Sequence, residues 1–418
     1  MAVAPPCGGD MQSSSRVHPR RGVDPRGVWS RVGGGRRQVG VRRGSSRAEC
    51  RMCASPSSTT ASSTTVLAAD VGGTNGRFQL WGPGDTLVAE RVVPTAQFGT
   101  FGDALVEFLE GAGGAAAALG AACIAVAGPV ERGRCAMTNC PWAVDASEVA
   151  GTLGLGVDRV AVINDFEAVG HGLSDLKAED VDTVHAGGDD SGAGEGGAKV
   201  CLGPGTGLGV CVVTQPGDAV TAGEGGHAGF APRGDLQRDL HAYVERELGV
   251  AEVESLVCGP GLERIHAFLV DREFGAAGGR GGWPTLWEAK EERARREKGL
   301  GDGPLSAEEV ARRAEEGDGV AVQAVELLLA LLGAEAGHMA LRMKATGGVY
   351  VAGGVTPKLA KWWRGRARGD NPLLDAYLWP QQTQPFRALL QACPLHVILN
   401  QDVGLLGARA VARKAAAQ

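Results

Sequence analysis

The chain has 418 residues, of which 44% are hydrophobic and 22% are charged, and its formal net charge is −6. That composition is typical of globular proteins, and the length is sufficient for two domains. The mildly acidic balance gives no sign of the basic surface that binds nucleic acid. No apolar run reaches the roughly 18 residues expected of a membrane helix.

Residues 1–62 differ in composition from the rest of the chain. Arginines are frequent, Ser and Thr crowd residues 55–65, and only Asp10, Asp24 and Glu49 are acidic. An Arg- and Ser-rich, acid-poor N-terminus predicts a disordered organelle transit peptide, although a disordered tail or a misassigned start would have the same composition. The Ser/Thr-rich end favours a plastid, with a mitochondrion or the cytoplasm as alternatives. We exclude this segment from the fold.

Ten cysteines are scattered along the chain. Cys50 and Cys53 form a C-x-x-C inside the leader, and the others show no paired metal spacing. Most lie in apolar runs, where a free cysteine behaves as a small hydrophobe. We therefore expect a reducing compartment and no structural zinc.

The first folded stretch is predicted to be a strand, a glycine turn and a second strand. Residues 66–69 are apolar, residues 77–80 alternate, and between them lies the sequence DVGGTN at 70–75. Its glycines permit backbone angles that other residues resist, and they let N–H groups approach a phosphate. Asp70 is placed to orient Mg²⁺ through water. An ordinary Gly-rich hairpin remains the alternative, because short glycine motifs often match by chance.

The next elements predict an α/β domain with a mostly parallel core. Residues 101–110 have helical spacing, and residues 121–127 and 160–163 are apolar runs typical of buried strands. The last of these runs ends abruptly at Asn164 and Asp165. Ligands of open α/β sheets bind beyond the carboxyl ends of strands, so Asp165 could take a proton from an attacking hydroxyl. Alternatively, either residue could simply cap the following helix.

A second strand–turn–strand pattern surrounds the glycine-rich sequence GPGTGLG at 203–209. This turn matches neither the Walker P-loop nor the dinucleotide motif. Two lobes that each offer one phosphate-binding hairpin are the plan of the actin-like ATPase fold. The loop 221–232 then presents Glu224 and His227, which suit sugar hydroxyls. A metal site would lack a third ligand, and a solvated loop without a role remains open.

The second half of the chain predicts two long helices, at 235–248 and 318–344, and a strand that ends in Gly353 and Gly354. That glycine pair leaves room for a flat base or a ribose. A last strand at 395–399 and a terminal helix at 404–414 follow.

Two segments carry no functional interpretation. Residues 271–304 are predicted to be a solvent-facing excursion with a charged helix at 286–298. Residues 361–386, which contain Trp362 and Trp363, are predicted to be a variable surface segment.

The ordered motifs resemble those of the bacterial-type glucokinase family within the sugar kinase/actin superfamily. The resemblance covers about residues 66–412. It is carried by DVGGTN at 70–75, AMTN at 136–139 with Trp142, INDF at 163–166, GTGLG at 205–209, GEGGH at 223–227, SLVCGPG at 255–261 and VAGG at 351–354. The chain departs from the family in its leader, in Gly76 where a small side chain is usual, and in the two segments without an interpretation.

The resemblance implies an α/β, two-lobed actin-like ATPase (ribonuclease H-like) fold with a central cleft. The lobes would comprise residues 63–175 with the terminal helix 403–418, and residues 176–402. The implied reaction is transfer of the γ-phosphoryl group of Mg-ATP to O6 of glucose, with Asp165 as general base.

The implied site residues fall into two groups. Those that would hold the sugar hydroxyls are Asn164, Asp165, Glu224, His227 and Glu254. Those that would face ATP are Asp70, Gly72, Gly73, Thr74, Asn75, Gly205, Thr206, Gly207, Gly353 and Gly354. The Cys cluster of zinc-containing relatives is missing from the sequence, so no protein-bound metal is expected beyond the Mg²⁺ that accompanies ATP.

Other functions remain open at this point. They are a kinase for another hexose, a non-catalytic sugar-sensing protein of the same fold, and a sugar-independent actin-like ATPase. The expected partners are glucose and ATP, with no nucleic acid and no membrane. A homodimer is left open, because the segments 271–304 and 361–386 leave the oligomer contacts undecided.

Overall fold

The computed structural model describes residues 64–137, 140–188, 196–275, 305–379 and 384–418. Four features of the sequence analysis lie wholly or partly outside these residues. They are the predicted leader, Thr138 and Asn139 of the AMTN motif, most of the segment 271–304 with its charged helix, and residues 380–383 of the segment 361–386.

The first sheet is built from five strands. They are β1 (Thr65–Val71), β2 (Asn75–Gly82), β3 (Thr86–Pro94), β4 (Leu119–Val126) and β7 (Val160–Asn164). Their order is β3-β2-β1-β4-β7, with β1, β4 and β7 mutually parallel and β2 and β3 antiparallel. A separate hairpin pairs β5 (Arg134–Ala136) with β6 (Ala143–Asp145).

The second sheet has six strands. They are β8 (Val181–His185), β9 (Lys199–Pro204), β10 (Leu208–Thr214), β11 (Ala219–Gly223), β12 (Gly348–Val351) and β13 (Leu395–Ile398). Their order is β11-β10-β9-β12-β13-β8, with β9, β12 and β13 parallel. The division into lobes at residue 175 stays a prediction, but each sheet takes its strands from one side of that position.

Helices cover the sheets, and they include those that apolar spacing predicts at 101–110, 235–248, 318–344 and 404–414. They are α1 (Phe101–Ala112), α2 (Ala146–Leu153), α3 (Asp165–Gly172), α4 (Gly234–Leu248), α5 (Gly259–Val270), α6 (Ala307–Glu315), α7 (Gly319–Met343), α8 (Val355–Lys358), α9 (Pro372–Tyr377), α10 (Gln384–Ala392) and α11 (Val403–Ala416). Side-chain caps start several of them: Asp145 accepts hydrogen bonds from the first turn of α2, and Ser306 does so for α6.

Helix α3 lies between the two sheets and packs closely against α11. A Cβ added at Gly407 of α11 would overlap the carbonyl oxygen of Ala168, and one added at Gly172 would overlap the carbonyl oxygen of Val403. Only glycine therefore allows the two backbones to come so near. The other side of α3 contacts β10 and β11 of the second sheet, where Val169 is buried with residues of those strands.

The segment 361–386 is not a variable surface segment, and that expectation is wrong. Trp362 and Trp363 are only 3% and 2% exposed, and Tyr377 is 1% exposed in the same large core. The indole N–H of Trp363 donates to the carbonyl of Thr356 at 3.1 Å. Tryptophan can be buried in this way because its one polar hydrogen has a partner.

Helix α7 is the exception to the expectation that no apolar stretch could span a membrane. Within the described residues it alone is long and apolar enough by length and composition, although 67% of its most apolar window is buried inside the fold. It packs against α5, α6 and α9. A core helix passes the same test as a membrane helix, because both are apolar on nearly all sides.

The α3–α11 contact predicts the effect of adding one methyl group. Gly407→Ala should lower the free energy of unfolding by about 1–3 kcal/mol, because the new Cβ overlaps a backbone carbonyl that has no rotamer to change. The matched control is Gly151→Ala in α2, where a Cβ would meet nothing within 4 Å, and it should raise stability by about 0.4–1 kcal/mol. Urea unfolding measures both, and equal midpoints for the two variants would contradict the close packing.

Candidate active site

The carboxyl ends of three parallel strands meet at one edge of the first sheet. Val71 of β1 pairs with Val126 of β4, and Val126 pairs with Asn164 of β7. Asp70 and Asp165, next to these positions, are therefore brought to the same edge, where ligands of such sheets bind.

Asn164 is the N-cap of α3, which confirms the capping alternative for this residue. Its Oδ1 accepts from the backbone N–H groups of Phe166 and Glu167 at 2.9 and 3.3 Å, and its Nδ2 donates to Gly128 O at 3.2 Å. Both ends of the amide are thus used within the protein. Its predicted contact with a sugar hydroxyl stays a prediction.

Asp165 is half-buried at the start of α3, where its Oδ1 accepts from the N–H of Phe166 at 2.9 Å. Burial, together with the negative charges of Asp70 and Glu224, raises the pKa of this carboxyl to about 6, although the hydrogen bond from the Phe166 N–H acts in the opposite direction. Asp70, Asp165 and Glu224, three predicted site residues from separate elements, therefore interact electrostatically. A carboxyl with a pKa near neutrality is suited to accept a proton and release it again.

Phe166 connects the Asp165 helix to the second glycine hairpin. A Cβ at Gly203 or at Gly209 would overlap the Phe166 ring. These two glycines of β9 and β10 are therefore required by an aromatic ring, and not by a phosphate. The ring fixes the position of Asp165 relative to the turn at 205–207.

The first glycine hairpin is held by its own strands. Arg77 lies opposite Asp70 in the β1–β2 ladder, and its guanidinium contacts Asp70 Oδ2 at 2.6 Å, Asp402 Oδ1 at 2.5 Å and Gln401 O at 3.1 Å. The Thr95 hydroxyl donates to Gly73 O at 2.8 Å. Asp70 is thus fixed by a cation that also reaches the residues just before α11.

One of the two predicted reasons for the glycines at 72 and 73, the need for backbone angles that other residues resist, is wrong. Neither residue is among those with a positive φ, so neither needs the backbone freedom of glycine. A Cβ at Gly72 would meet only Asn75 O, at an ordinary 3.6 Å. Close approach of a ligand is the reason that remains, and the neighbouring Thr74 and Asn75 are exposed.

The second hairpin turn contains one glycine in open space and one beside a carboxylate. No atom lies within 4 Å of a Cβ built at Gly205, whereas a Cβ at Gly207 would come within 2.5 Å of Glu254 Oε2. Gly205 O accepts from the N–H of Gly259, in the first turn of α5, at 2.8 Å. The positive end of a helix thus lies beside the turn, and Thr206 between the two glycines is exposed.

Gly353 and Gly354 lie next to this hairpin. Gly353 has a φ of +80°, and a Cβ there would come within 2.5 Å of Pro204 O. Glycine is therefore required at 353 by backbone angle and by contact. The side chain nearest to a Cβ at Gly354 is Gln401, at 3.7 Å.

Glu254 is fixed beside the second glycine hairpin. Its side chain is partly buried, and Oε2 accepts from the backbone N–H of Leu208 at 2.7 Å. Glu224 precedes a short 3-10 turn at Gly225–His227, which His227 ends, and both side chains are exposed. The structure therefore brings the predicted sugar residues near the phosphate hairpin.

Sequence reasoning missed Glu252, the partner of His227. Its Oε2 lies 2.9 Å from His227 Nδ1. The sequence offered no signal for this pair, because the two residues are 25 positions apart and Glu252 lies at the start of a turn.

The comparisons with known proteins agree with this arrangement. The family model described as Glucokinase matches residues 67–415. The chain belongs to the glucokinase family. A glucokinase-family relative, the glucokinase of Nostoc sp. strain PCC 7120, is 35% identical over 298 residues, which cover 69% of this chain and 80% of the relative.

Solved structures establish the fold of this glucokinase-family chain. The structure of a glucokinase from an Antarctic psychrotroph has a TM-score of 0.65 at 24% identity and covers 84% of this chain and 99% of its own. A ROK family glucokinase from Streptomyces griseus, solved with glucose and AMPPNP, has a TM-score of 0.52 at 21% identity, with coverage of 84% and 99%. The actin-like ATPase fold predicted from the two hairpins is confirmed.

The carboxylates at the strand ends suit Mg²⁺ that is bound together with phosphate, rather than a metal ion held entirely by protein ligands. Across the described part of the chain no three His, Cys, Asp or Glu residues form a group that could hold an ion. Mg²⁺ in phosphoryl-transfer sites uses one or two carboxylates together with phosphate oxygens and waters. Asp70, a hard oxygen donor beside the first hairpin, fits that pattern.

The Arg77 contacts predict a loss of stability on truncation. Arg77→Ala leaves Asp70 and Asp402 without their shared cation, and we expect the free energy of unfolding to fall by about 1–3 kcal/mol. The control is Arg91→Ala on the same sheet, whose pair with Glu107 is 37% and 41% exposed and should contribute at most about 1 kcal/mol. Denaturant unfolding compares them, and equal losses would contradict a special role for Arg77.

Proposed function

We propose that the reaction of this glucokinase-family enzyme, the ATP-dependent phosphorylation of glucose, takes place at O6 with Asp165 as its general base. The observation that carries the proposal is the position of Asp165. It lies beyond the end of β7, half-buried beside Asp70 and Glu224, with its pKa raised to about 6. At neutral pH the carboxylate is then mostly ionised and still basic enough to take the hydroxyl proton.

The sugar would lie among groups that offer hydrogen bonds to its hydroxyls. Asp165 would face O6, while Asn164, Glu224, His227 and Glu254 would contact the other hydroxyls. Glu254 supports this assignment, because one of its oxygens is bound to the phosphate hairpin through Leu208 N. The same carboxylate thus belongs to the sugar side and to the nucleotide side.

ATP would lie across the two hairpin turns. Gly72 to Asn75 and Gly205 to Gly207 would present backbone N–H groups to the phosphates, with the start of α5 adding its positive end. Gly353 and Gly354, beside the second hairpin, would flank the adenosine. When Mg²⁺ is bound, near Asp70, it neutralises charge on the phosphate oxygens. The Streptomyces griseus structure, solved with glucose and AMPPNP, supports a site that takes a sugar and a nucleotide.

The raised pKa of Asp165 predicts the acid limb of the pH profile. Protonation of Asp165 removes the base, so kcat/KM for glucose should fall as the pH drops through about 6. If the carboxyl had its usual pKa, kcat/KM would stay constant as the pH is lowered to about 4. Steady-state rates of glucose 6-phosphate formation across this range measure the limb, and a constant rate to about pH 4.5 would contradict the assignment.

The choice of sugar is tested by rates across hexoses. With Mg-ATP at saturation, we expect the full-length protein to give its highest kcat/KM with glucose. A clearly higher value for another hexose would make the chain a kinase for that sugar. Binding of glucose without product would favour a sugar-sensing protein of the same fold.

We also propose that residues 1–62 direct the protein to a plastid. Their Arg- and Ser-rich, acid-poor composition supports a targeting role. A fusion of residues 1–62 to a fluorescent protein, expressed in a plastid-bearing cell, should accumulate with the chlorophyll signal. Accumulation in mitochondria or in the cytoplasm would contradict the plastid assignment.

A further inference from the structure

The His227 loop is joined to the Glu252 segment by three backbone hydrogen bonds. The N–H of Phe230 donates to Ala251 O at 2.9 Å, Val253 N–H donates to Ala228 O at 2.9 Å, and Glu254 N–H donates to Gly226 O at 2.8 Å. The segment therefore fixes the backbone on both sides of His227.

The Glu252 side chain determines the proton on one ring nitrogen of His227. Its Oε2 lies 2.9 Å from Nδ1, and the His227 side chain is 54% exposed while that of Glu252 is 28% exposed. An ionised carboxylate only accepts hydrogen bonds. Nδ1 must therefore carry a hydrogen, and Nε2 is the nitrogen directed away from Glu252.

The groups predicted to surround the sugar are short of donors. Glu224, Glu254 and Asp165 only accept hydrogen bonds when they are ionised, and one of the two amide hydrogens of Asn164 is already directed to Gly128 O. Each sugar hydroxyl has one hydrogen to donate and two lone pairs to receive one. A side-chain N–H at this position would therefore complement the carboxylates.

We propose that Glu252 is a positioning residue for sugar recognition, which holds His227 as an imidazolium that donates its Nε2–H to a hydroxyl of bound glucose. This inference rests on the proposed function. With Nδ1–H directed to Glu252, the ring can donate from Nε2 only when both nitrogens are protonated. Because Glu252 fixes the tautomer, donation from Nε2 depends on the charge of the ring and not on its orientation.

The charged groups that face His227 favour this protonated form. The hydrogen bond to Glu252 raises the pKa of His227, and the charges of Glu254, Glu252 and Glu224 raise it further against a smaller effect of burial. If glucose binds the imidazolium, its affinity is full below the pKa of His227 and falls as the pH rises through that pKa.

The decisive variant is Glu252→Gln in the full-length protein. The glutamine Oε1 can still accept from Nδ1–H, but its missing charge lowers the pKa of His227. We expect the KM and the calorimetric Kd for glucose to rise about tenfold above neutral pH. The difference should vanish near about pH 5.5, where either protein holds a protonated histidine. The kcat at saturating glucose should stay within about twofold, because Glu252 does not touch O6 or ATP.

The control removes a similar charge elsewhere. Glu245 on α4 is 61% exposed and lies 3.9 Å from His241, so Glu245→Gln should leave the glucose Kd unchanged at every pH. A proton NMR titration of His227 in the wild type and in Glu252→Gln gives a readout independent of turnover, and the variant should titrate at lower pH.

The outcomes separate this inference from the proposed function. A Glu252→Gln protein whose glucose Kd matches the wild type at every pH, or is weakened equally at every pH, would overturn the role of Glu252. A wild-type chain that binds glucose without phosphorylating it would contradict the proposed function alone, since the pH dependence of binding still decides the role of Glu252. A chain that does not bind glucose would contradict both.

Discussion

Close contact between the backbones of α3 and α11 determines where Asp165 can lie. Gly172 and Gly407 bring the two helices together on the side of the first sheet, and Phe166 fits against Gly203 and Gly209 on the side of the second. The first contact is between backbones and the second involves an aromatic ring, and neither group can move far in a closely packed interior. The proposed base at the start of α3 is therefore positioned by both sheets at once, and its surroundings are a product of their packing.

Several carboxylates lie close together in the site, and few cations lie near them. Asp70 and Glu224 act on Asp165 and raise its pKa, while Arg77 fixes Asp70 and reaches Asp402. Some of this charge also has a structural role, since Glu254 holds the second hairpin. Under the proposed function a polyanionic nucleotide would add to this charge, and the helix start at α5, the backbone N–H groups and Mg²⁺ would together offset it.

Much of the fold followed from apolar spacing, because strands such as β4 and helices such as α7 are long and regular. The exposed edge strand β3 was not predicted, and the burial of Trp362 and Trp363 was not expected, because both features depend on partners distant in sequence. The order of the motifs along the chain predicted the site residues. The structural role of a single residue could not be predicted in the same way. Gly203 and Gly209 are explained only by the ring of Phe166, and Glu252 only by a contact with His227.

The most direct test of the account is Asp165→Asn in the full-length protein, measured for glucose binding and for a single turnover with Mg-ATP. Asparagine keeps the shape and removes the base, so glucose should bind while phosphoryl transfer slows about 10²–10⁴-fold. The melting temperature should not fall, because the lost carboxylate was itself disfavoured by burial. Full turnover by this variant would contradict Asp165 as the base and, with it, the way in which the two sheets build the site.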